Sequence, residues 1–159
     1  MKTSKQILGN IGENITCSVL KKEGYHILER NYKTTFGEID IIAKRKHTIS
    51  FIEVKSRTDA SLYKAKDALK EDQMKRIVNC SKEYIQNILH KKGINTEELE
   101  FTYDVAAIQF DNNGNVLDFQ YFNNYLKVIH YEDLCRPTLR YDDRNVPTED
   151  TEFSVNPPD

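Results

Sequence analysis

The chain has 159 residues, enough for one domain around a single hydrophobic core and too few for a second full domain. Its 23 Lys and Arg residues against 25 Asp and Glu residues leave a formal charge of −2, so the chain as a whole is not basic. The charge is uneven, because residues 41–92 contain 13 Lys or Arg against 6 Asp or Glu, whereas residues 136–159 contain 3 against 6. A basic middle with an acidic end permits local binding of a polyanion.

Three cysteines, Cys17, Cys80 and Cys135, lie far apart in the chain and form no CxxC or Cys/His cluster. This spacing argues against both a disulfide framework and a zinc site. The first residues lead into a helical pattern rather than an apolar signal core, and no apolar run approaches the length that spans a membrane. We therefore expect a cytoplasmic protein without a membrane partner.

The first predicted element is an amphipathic helix from about Ser4 to Glu23, with Ser4 as N-cap and Gly24 just after its end. Apolar residues recur on one face at helical spacing, namely Ile7, Leu8, Ile11, Ile15 and Val19. Glu13 lies away from this stripe, and the pattern alone favours a solvated side chain there. Residues 25–31 follow as a short strand.

Residues 36–43 and 48–56 predict the two strands of a hairpin whose turn is centred between Lys46 and His47. With that centre, Asp40 lies opposite Glu53 and Glu38 lies opposite Lys55. All four side chains then share one face of the sheet, because side chains alternate along a strand.

Two carboxylates facing each other between apolar strands are destabilising unless a cation compensates them. A divalent metal bound by Asp40, Glu53 and the backbone carbonyl of Val54 is one solution, since Mg²⁺ prefers oxygen ligands. Lys55 would then orient a water or offset charge in a transition state. The alternative is a set of salt bridges between the two strands, with Glu38 paired to Lys55.

The second half of the chain predicts a helix over residues 71–92 that ends at Gly93, after a polar stretch, residues 59–70, that has no clear assignment. A strand over residues 100–110 turns at an Asn-Gly pair into a second strand over residues 116–122, and residues 125–129 add a further one. Residues 1–135 form the predicted domain, and residues 136–159 a polar, disordered tail. The order of elements predicts an α/β sandwich around a mixed sheet.

Five motifs stand in the order and approximate spacing of the YraN (UPF0102) family, which the chain resembles over about residues 8–131. They are Gly9-x-x-Gly12-Glu13, Gly24-Tyr25-x-Ile27-Leu28-x-Arg30-Asn31, Gly37-Glu38-Ile39-Asp40-Ile41-Ile42-Ala43, Phe51-Ile52-Glu53-Val54-Lys55-x-Arg57 and Tyr103-Asp104-Val105. That family is a branch of the PD-(D/E)xK endonuclease-like superfamily and is similar to Holliday junction resolvases.

The resemblance implies a restriction-endonuclease-like three-layer sandwich and a Mg²⁺- or Mn²⁺-dependent endonuclease acting on DNA, including branched or junction DNA. It implies no small-molecule cofactor, and a resolvase-like role implies a homodimer. Position by position, Asp40 matches the metal-binding aspartate, Glu53 the second carboxylate and Lys55 the catalytic lysine. Glu13 falls where the first helix of such nucleases adds an acidic residue. Thr102-Tyr103 before Asp104 depart from the family pattern, so Asp104 is expected to be a structural residue or a neighbour of the ligands and not a metal ligand itself.

Basic and polar residues near these motifs are the candidates for nucleic-acid binding. They are Lys44, Arg45, Lys46, Arg57, Gln73, Lys75 and Arg76, followed by Lys64, Lys66 and Lys70. Gln73 stands where many relatives carry a lysine. Phosphate contacts position a protein without reading sequence, and no base-reading element is visible. The competing hypothesis is a non-catalytic DNA-binding or adaptor module that retains the fold.

Overall fold

The computed structural model describes residues 2–58, 71–128 and 153–155. Two helices and six strands make up the described part. In chain order they are α1 (Ser4–Lys22), β1 (His26–Thr34), β2 (Gly37–Arg45), β3 (Thr48–Arg57), α2 (Glu71–Tyr84), β4 (Glu100–Phe110), β5 (Val116–Val128) and β6 (Phe153–Val155). A π-helical segment, Ile85–Leu89, continues α2, and a 3-10 turn, Thr96–Glu98, precedes β4.

The strands form one mixed sheet in the order β1-β2-β3-β4-β5-β6. Strands β3 and β4 are parallel, and α2 lies between them in the chain, whereas the other neighbours are antiparallel. Strand β6 comes from the predicted tail and pairs with the last residues of β5. The rest of that tail lies outside the described residues, as do residues 59–70.

Alternate residues of the same strands pack against different helices, so the two helices cover opposite faces of the sheet. On one face Cys17 and Leu20 of α1 pack with Ile41 and Ile52, together with Tyr25, Ala43 and Ala106. On the other face α2 packs over a larger cluster that includes Ile42, Phe51, Tyr103 and Val105. The result is the α/β three-layer sandwich that the sequence predicts. Within the described ranges, no helix is both long and apolar enough to cross a membrane.

Helix α1 buries a different face from the one its apolar residues predict. Ile7 and Ile11 are 47% and 38% exposed, and the buried residues are Gly12, Glu13, Thr16, Cys17 and Leu20. Gly12 allows this face of α1 to lie against the sheet, because a Cβ at that position would collide with the Ser56 hydroxyl oxygen on β3. Thr16 tolerates burial because its hydroxyl donates to the Gly12 carbonyl at 2.8 Å. The prediction that the apolar stripe is the buried face of α1 is therefore wrong.

Both ends of α1 have defined caps. The N-cap is Thr3 rather than the predicted Ser4, because the Thr3 hydroxyl accepts from the Gln6 N–H while the Gln6 side chain accepts from the Thr3 N–H. Gly24 follows the helix in the left-handed region, with φ +89°, as predicted.

The hairpin register agrees with the prediction over five pairs, from Arg45 opposite Thr48 to Ile41 opposite Ile52. Beyond that last pair the two strands no longer pair with each other. Strand β2 continues to pair with β1 as far as Gly37, and β3 continues to pair with β4 as far as Arg57. The two central strands therefore diverge at the level of Asp40 and Glu53.

Strand β4 has the predicted bounds, and the turn after it is held by Asp111, whose carboxylate accepts from the N–H groups of Asn113 and Asn115. Strand β5 differs from its prediction, because residues 116–128 form one strand instead of two. The interruption is local: Asn124 takes a φ of +57°, and the β4–β5 register shifts between Tyr103 and Val105.

Candidate functional site

The candidate site occupies the opening where β2 and β3 diverge. Asp40 turns its carboxylate into this opening and accepts a hydrogen bond from the Val54 N–H at 2.8 Å. The Asp40 side chain thus accepts the Val54 N–H, which a backbone carbonyl of β2 would accept if the two strands continued to pair. The N–H and C=O of one strand residue point to the same side, so the Val54 carbonyl also faces β2.

Glu53 and Lys55 form an ion pair on β3, with 3.2 Å between the Lys55 Nζ and the Glu53 Oε1. Both side chains are largely buried, at 13% and 9% exposure. The predicted pairing of Glu38 with Lys55 is wrong, because β2 has left β3 before it reaches Glu38. Glu38 instead lies opposite Lys33 in the β1–β2 register.

Glu13 reaches the same end of the sheet from α1. Its side chain is 11% exposed, so it is not the solvated residue that the helical pattern favoured. Arg30 on β1 lies 3.8 Å from the Glu13 carboxylate and donates to the Asn14 side chain at 2.8 Å. Asn31 also hydrogen-bonds to Glu13. Two residues of β1 therefore fix the position of this carboxylate.

The carboxylates of the site interact electrostatically. Burial, and after it the charge of Glu53, raises the pKa of Asp40 to about 8, and the Val54 N–H opposes this rise. Burial also raises the pKa of Glu13, against the lowering effects of Arg30 and Asn31. Glu38 contributes to the rise of both pKa values. An acid that is protonated near neutral pH next to a second carboxylate indicates a place where a cation would be stabilised.

Arg30 and Asn31 are site residues that the sequence analysis did not identify as such. The β1–β2 register places Asn31 across from Asp40, between the pairs Arg30–Ile41 and Tyr32–Ile39. Asn31 has a φ of +50°, a left-handed conformation that is unusual inside a strand and that Asn tolerates better than most residues. Their only signal in the sequence is the motif that contains them, which assigns no role to either side chain.

Several predicted nucleic-acid residues lie at this end of the sheet or on the helix that covers it. Arg57 is exposed at the end of β3, and Gln73 and Lys75 are half-buried near the start of α2. Arg76 crosses the start of β2: a Cβ on Gly37 would lie 2.6 Å from the Arg76 Cδ, and Gly37 has a φ of +133° that favours glycine. Arg76 thereby lies three residues along the strand from Asp40.

The other predicted basic residues are elsewhere. Lys44, Arg45 and Lys46 lie at the opposite end of the hairpin, and Arg45 is five residues, about 16 Å, along β2 from Asp40. They are too far away to contact the same phosphate as Asp40. Lys64, Lys66 and Lys70 lie outside the described residues.

The residues present fit a Mg²⁺ or Mn²⁺ ion held mainly by its substrate and water. Within residues 2–58 and 71–128, no three His, Cys, Asp or Glu side chains come together as a metal-binding group. Asp40, Glu53 and the Val54 carbonyl are a smaller set. Mg²⁺ usually retains several waters and binds through one or two carboxylates plus substrate phosphates, so this set suffices.

The fold and this site define an α/β three-layer protein with a carboxylate–lysine cluster at the point where two central strands diverge. Residues 12–108 match the uncharacterised protein family UPF0102. A UPF0102 protein of Clostridium perfringens is 37% identical over 128 residues, which cover 80% of this chain and 100% of the relative. One of Dictyoglomus turgidum is 33% identical over 117 residues, 74% of this chain and 94% of the relative. The chain belongs to the UPF0102 family.

Proposed function

We propose that this protein is a metal-dependent endonuclease that hydrolyses phosphodiester bonds in DNA. The observation that carries the proposal is the opening between β2 and β3, in which Asp40, held by the Val54 N–H, shares a largely buried site with the Glu53–Lys55 pair. A bound Mg²⁺ would supply a water of lowered pKa and would stabilise charge on the phosphate oxygens. The family resemblance supports the same assignment of the three residues.

Each protein group has a distinct task in this proposal. Asp40 and Glu53 supply the oxygen ligands, and a cation that binds them would displace the proton that Asp40 holds near neutral pH. Lys55 lies beside Glu53, where its side chain would offset charge that develops on the phosphate in the transition state. Its bond to Glu53 restricts the long side chain to one place, so little reorganisation is needed during reaction.

Glu13 is a further acidic group whose charge acts on Asp40. Arg30 and Asn31 hold its carboxylate, so it can accept a hydrogen bond from a water in a fixed direction. Arg57 and Arg76 flank the opening from β3 and α2, where they can contact the phosphates on either side of the cleaved bond. The net positive charge of residues 41–92 favours a polyanionic substrate.

The experiment is a titration of Mg²⁺ or Mn²⁺ into the wild type and Glu53→Ala with linear duplex, single-stranded and four-way-junction DNA. We expect metal-dependent cleavage by the wild type, and a loss of at least about a hundredfold in the variant, as for other removed transition-state groups. The matched control is Glu98→Ala, which changes an exposed carboxylate just before β4, at the far end of the sheet. DNA binding without cleavage that does not depend on Glu53 would instead favour the adaptor hypothesis.

A further inference from the structure

A second concave region lies at the end of the sheet opposite to the candidate site. It consists of two adjoining cavities of about 290 Å³ and 570 Å³. Both are lined by Glu23, Tyr25, Arg45 and Asn123, so they form one groove between the end of α1, the β2–β3 turn and β5. These volumes fall at or near the range of small-molecule sites, roughly 300–1,000 Å³.

The smaller cavity is an apolar recess with a flat cationic wall. The Arg45 guanidinium lies over the Tyr25 ring, 4.5 Å from its centroid, and donates to the Glu23 carbonyl at 3.2 Å. Tyr121 forms another wall and is fixed by its hydrogen bond to the buried Asp104 carboxylate. A guanidinium held against a fixed ring offers a preformed surface on which a planar group can stack.

The larger cavity is polar and nearly balanced in charge. Lys46 and Arg45 line it together with Glu23 and Glu100. Because two acidic residues line this cavity beside two basic ones, it suits a group with one negative charge better than a group with several on one small molecule, such as a triphosphate. Asn123 adds an exposed amide that can hydrogen-bond to the edge of a heterocyclic ring.

A planar apolar ring with a polar edge and a single negative charge describes one nucleotide unit of a nucleic-acid strand. We propose that this groove binds an unpaired nucleotide of single-stranded DNA, with its base stacked on Arg45 and its phosphate next to Lys46. The inference rests on the proposed function, because it names the substrate form that reaches both sites. Stacking on an aromatic or guanidinium plane tolerates every base, so this site selects unpaired DNA rather than a sequence.

The position of the groove sets the spacing of the two contacts. Thr48 lines the groove at the start of β3, and Glu53 lies five residues further along that strand, about 16 Å away. When the DNA between the two contacts is duplex, its rise of about 3.4 Å per base pair covers this distance in about five base pairs. The substrate therefore has an unpaired segment about five nucleotides from the cleaved bond.

The test uses the full chain and a short single-stranded oligonucleotide that carries 2-aminopurine, whose fluorescence falls on stacking, in EDTA so that no cleavage occurs. Arg45→Lys retains the charge but removes the stacking plane, and we expect roughly tenfold weaker binding and less quenching. Lys46→Asn removes one charge at a position with φ +55°, a conformation that Asn accepts. For this variant we expect the slope of log binding constant against log salt concentration to be smaller in magnitude by about 0.7, the value for one phosphate contact on a single strand.

The control is Lys5→Asn, an exposed charge on the first turn of α1, about 27 Å from Glu23 along the helix axis. It should bind like the wild type, and a blunt duplex should show no quenching with any variant. Asn123→Asp adds a negative charge at an exposed groove position and should weaken binding as well. Equal binding by the wild type, Lys46→Asn and Asn123→Asp would overturn the proposal, even if Arg45→Lys unfolds.

The outcome is independent of the nuclease test. The binding assay contains EDTA and needs no cleavage, and the groove includes none of Asp40, Glu53 and Lys55. Binding that depends on the groove, without cleavage by the wild type in Mg²⁺, would support this inference and contradict the proposed function. Cleavage and binding that are both unaffected by all groove variants would support the proposed function and contradict this inference.

Discussion

Replacement of Asp40 by asparagine should make the metal-free protein more stable at neutral and alkaline pH. Burial and the nearby Glu53 raise the pKa of Asp40 to about 8, well above its ordinary value of 3.8. The folded state therefore holds one more proton than the unfolded state between these two pH values. The stability associated with that proton is fully present below pH 3.8 and is lost as the pH rises through about 8.

The magnitude follows from proton linkage. One extra proton in the folded state lowers the free energy of unfolding by about 1.4 kcal/mol for each unit by which the pH rises, or by about 2.7 kcal/mol from pH 5 to pH 7. An asparagine side chain at this position would keep an acceptor for the Val54 N–H and would never ionise. Asp40→Asn should therefore lack this part of the pH dependence, and its advantage over the wild type should grow from pH 5 to pH 8.

The assay is urea unfolding in EDTA, followed by circular dichroism at pH 5, 6, 7 and 8. Glu53→Gln serves as a graded comparison, because it removes the second cause of the raised pKa of Asp40 and leaves the first, burial. It should flatten the pH dependence less than Asp40→Asn does. If wild type and Asp40→Asn show the same slope, Asp40 does not bind a proton in the folded state and the electrostatic description of the site is wrong.

Three further changes test the packing and the ion pair around the site. Gly12→Ala should destabilise the protein by about 1–2 kcal/mol, because overpacking against the Ser56 hydroxyl outweighs the gain in helix propensity. Ser56→Ala should stabilise it by about 1 kcal/mol, since its buried hydroxyl has no hydrogen-bond partner among the described residues. Lys55→Met should cost about 3–5 kcal/mol at pH 8, because it leaves the largely buried Glu53 carboxylate unpaired.

Double variants provide the controls for these changes. Gly12→Ala should be almost neutral in the Ser56→Ala background, so additive effects of the two substitutions would contradict the described contact. Glu53→Gln should restore most of the stability that Lys55→Met removes. An equal loss with and without Glu53 would mean that Lys55 stabilises the fold through its packing and not through the ion pair. Urea unfolding measures all of these differences.

Local sequence patterns predict much of the sheet. They also predict where α1 ends, but they place its N-cap one residue too late. The β2–β3 register follows from a two-residue turn, and the bounds of β4 follow from its alternation and its Asn-Gly turn. The N-cap of α1 lies one residue before the predicted one, at Thr3. The end of α1 shortly before Gly24 follows from the positive φ that Gly24 adopts. These features depend on residues close together in the chain, so the sequence contains their causes.

The remaining features depend on contacts between distant residues. The buried face of α1 is set by the fit of Gly12 against Ser56, and apolar periodicity does not describe that fit. The divergence of β2 and β3 replaces the expected Glu38–Lys55 pair by Glu53–Lys55, because each strand retains its other neighbour. The roles of Arg30 and Asn31 arise only when β1 is placed beside α1 and β2.

The central claim is that Asp40 and Glu53 together bind one divalent cation, and Mn²⁺ binding followed by calorimetry or electron paramagnetic resonance tests it without DNA. We predict one site per chain in the wild type and in Glu98→Gln, and its loss in both Asp40→Asn and Glu53→Gln. If a variant that is at least as stable as the wild type loses Mn²⁺ binding, the loss is due to the missing ligand and not to unfolding. Equal Mn²⁺ binding by all four proteins would contradict the claim.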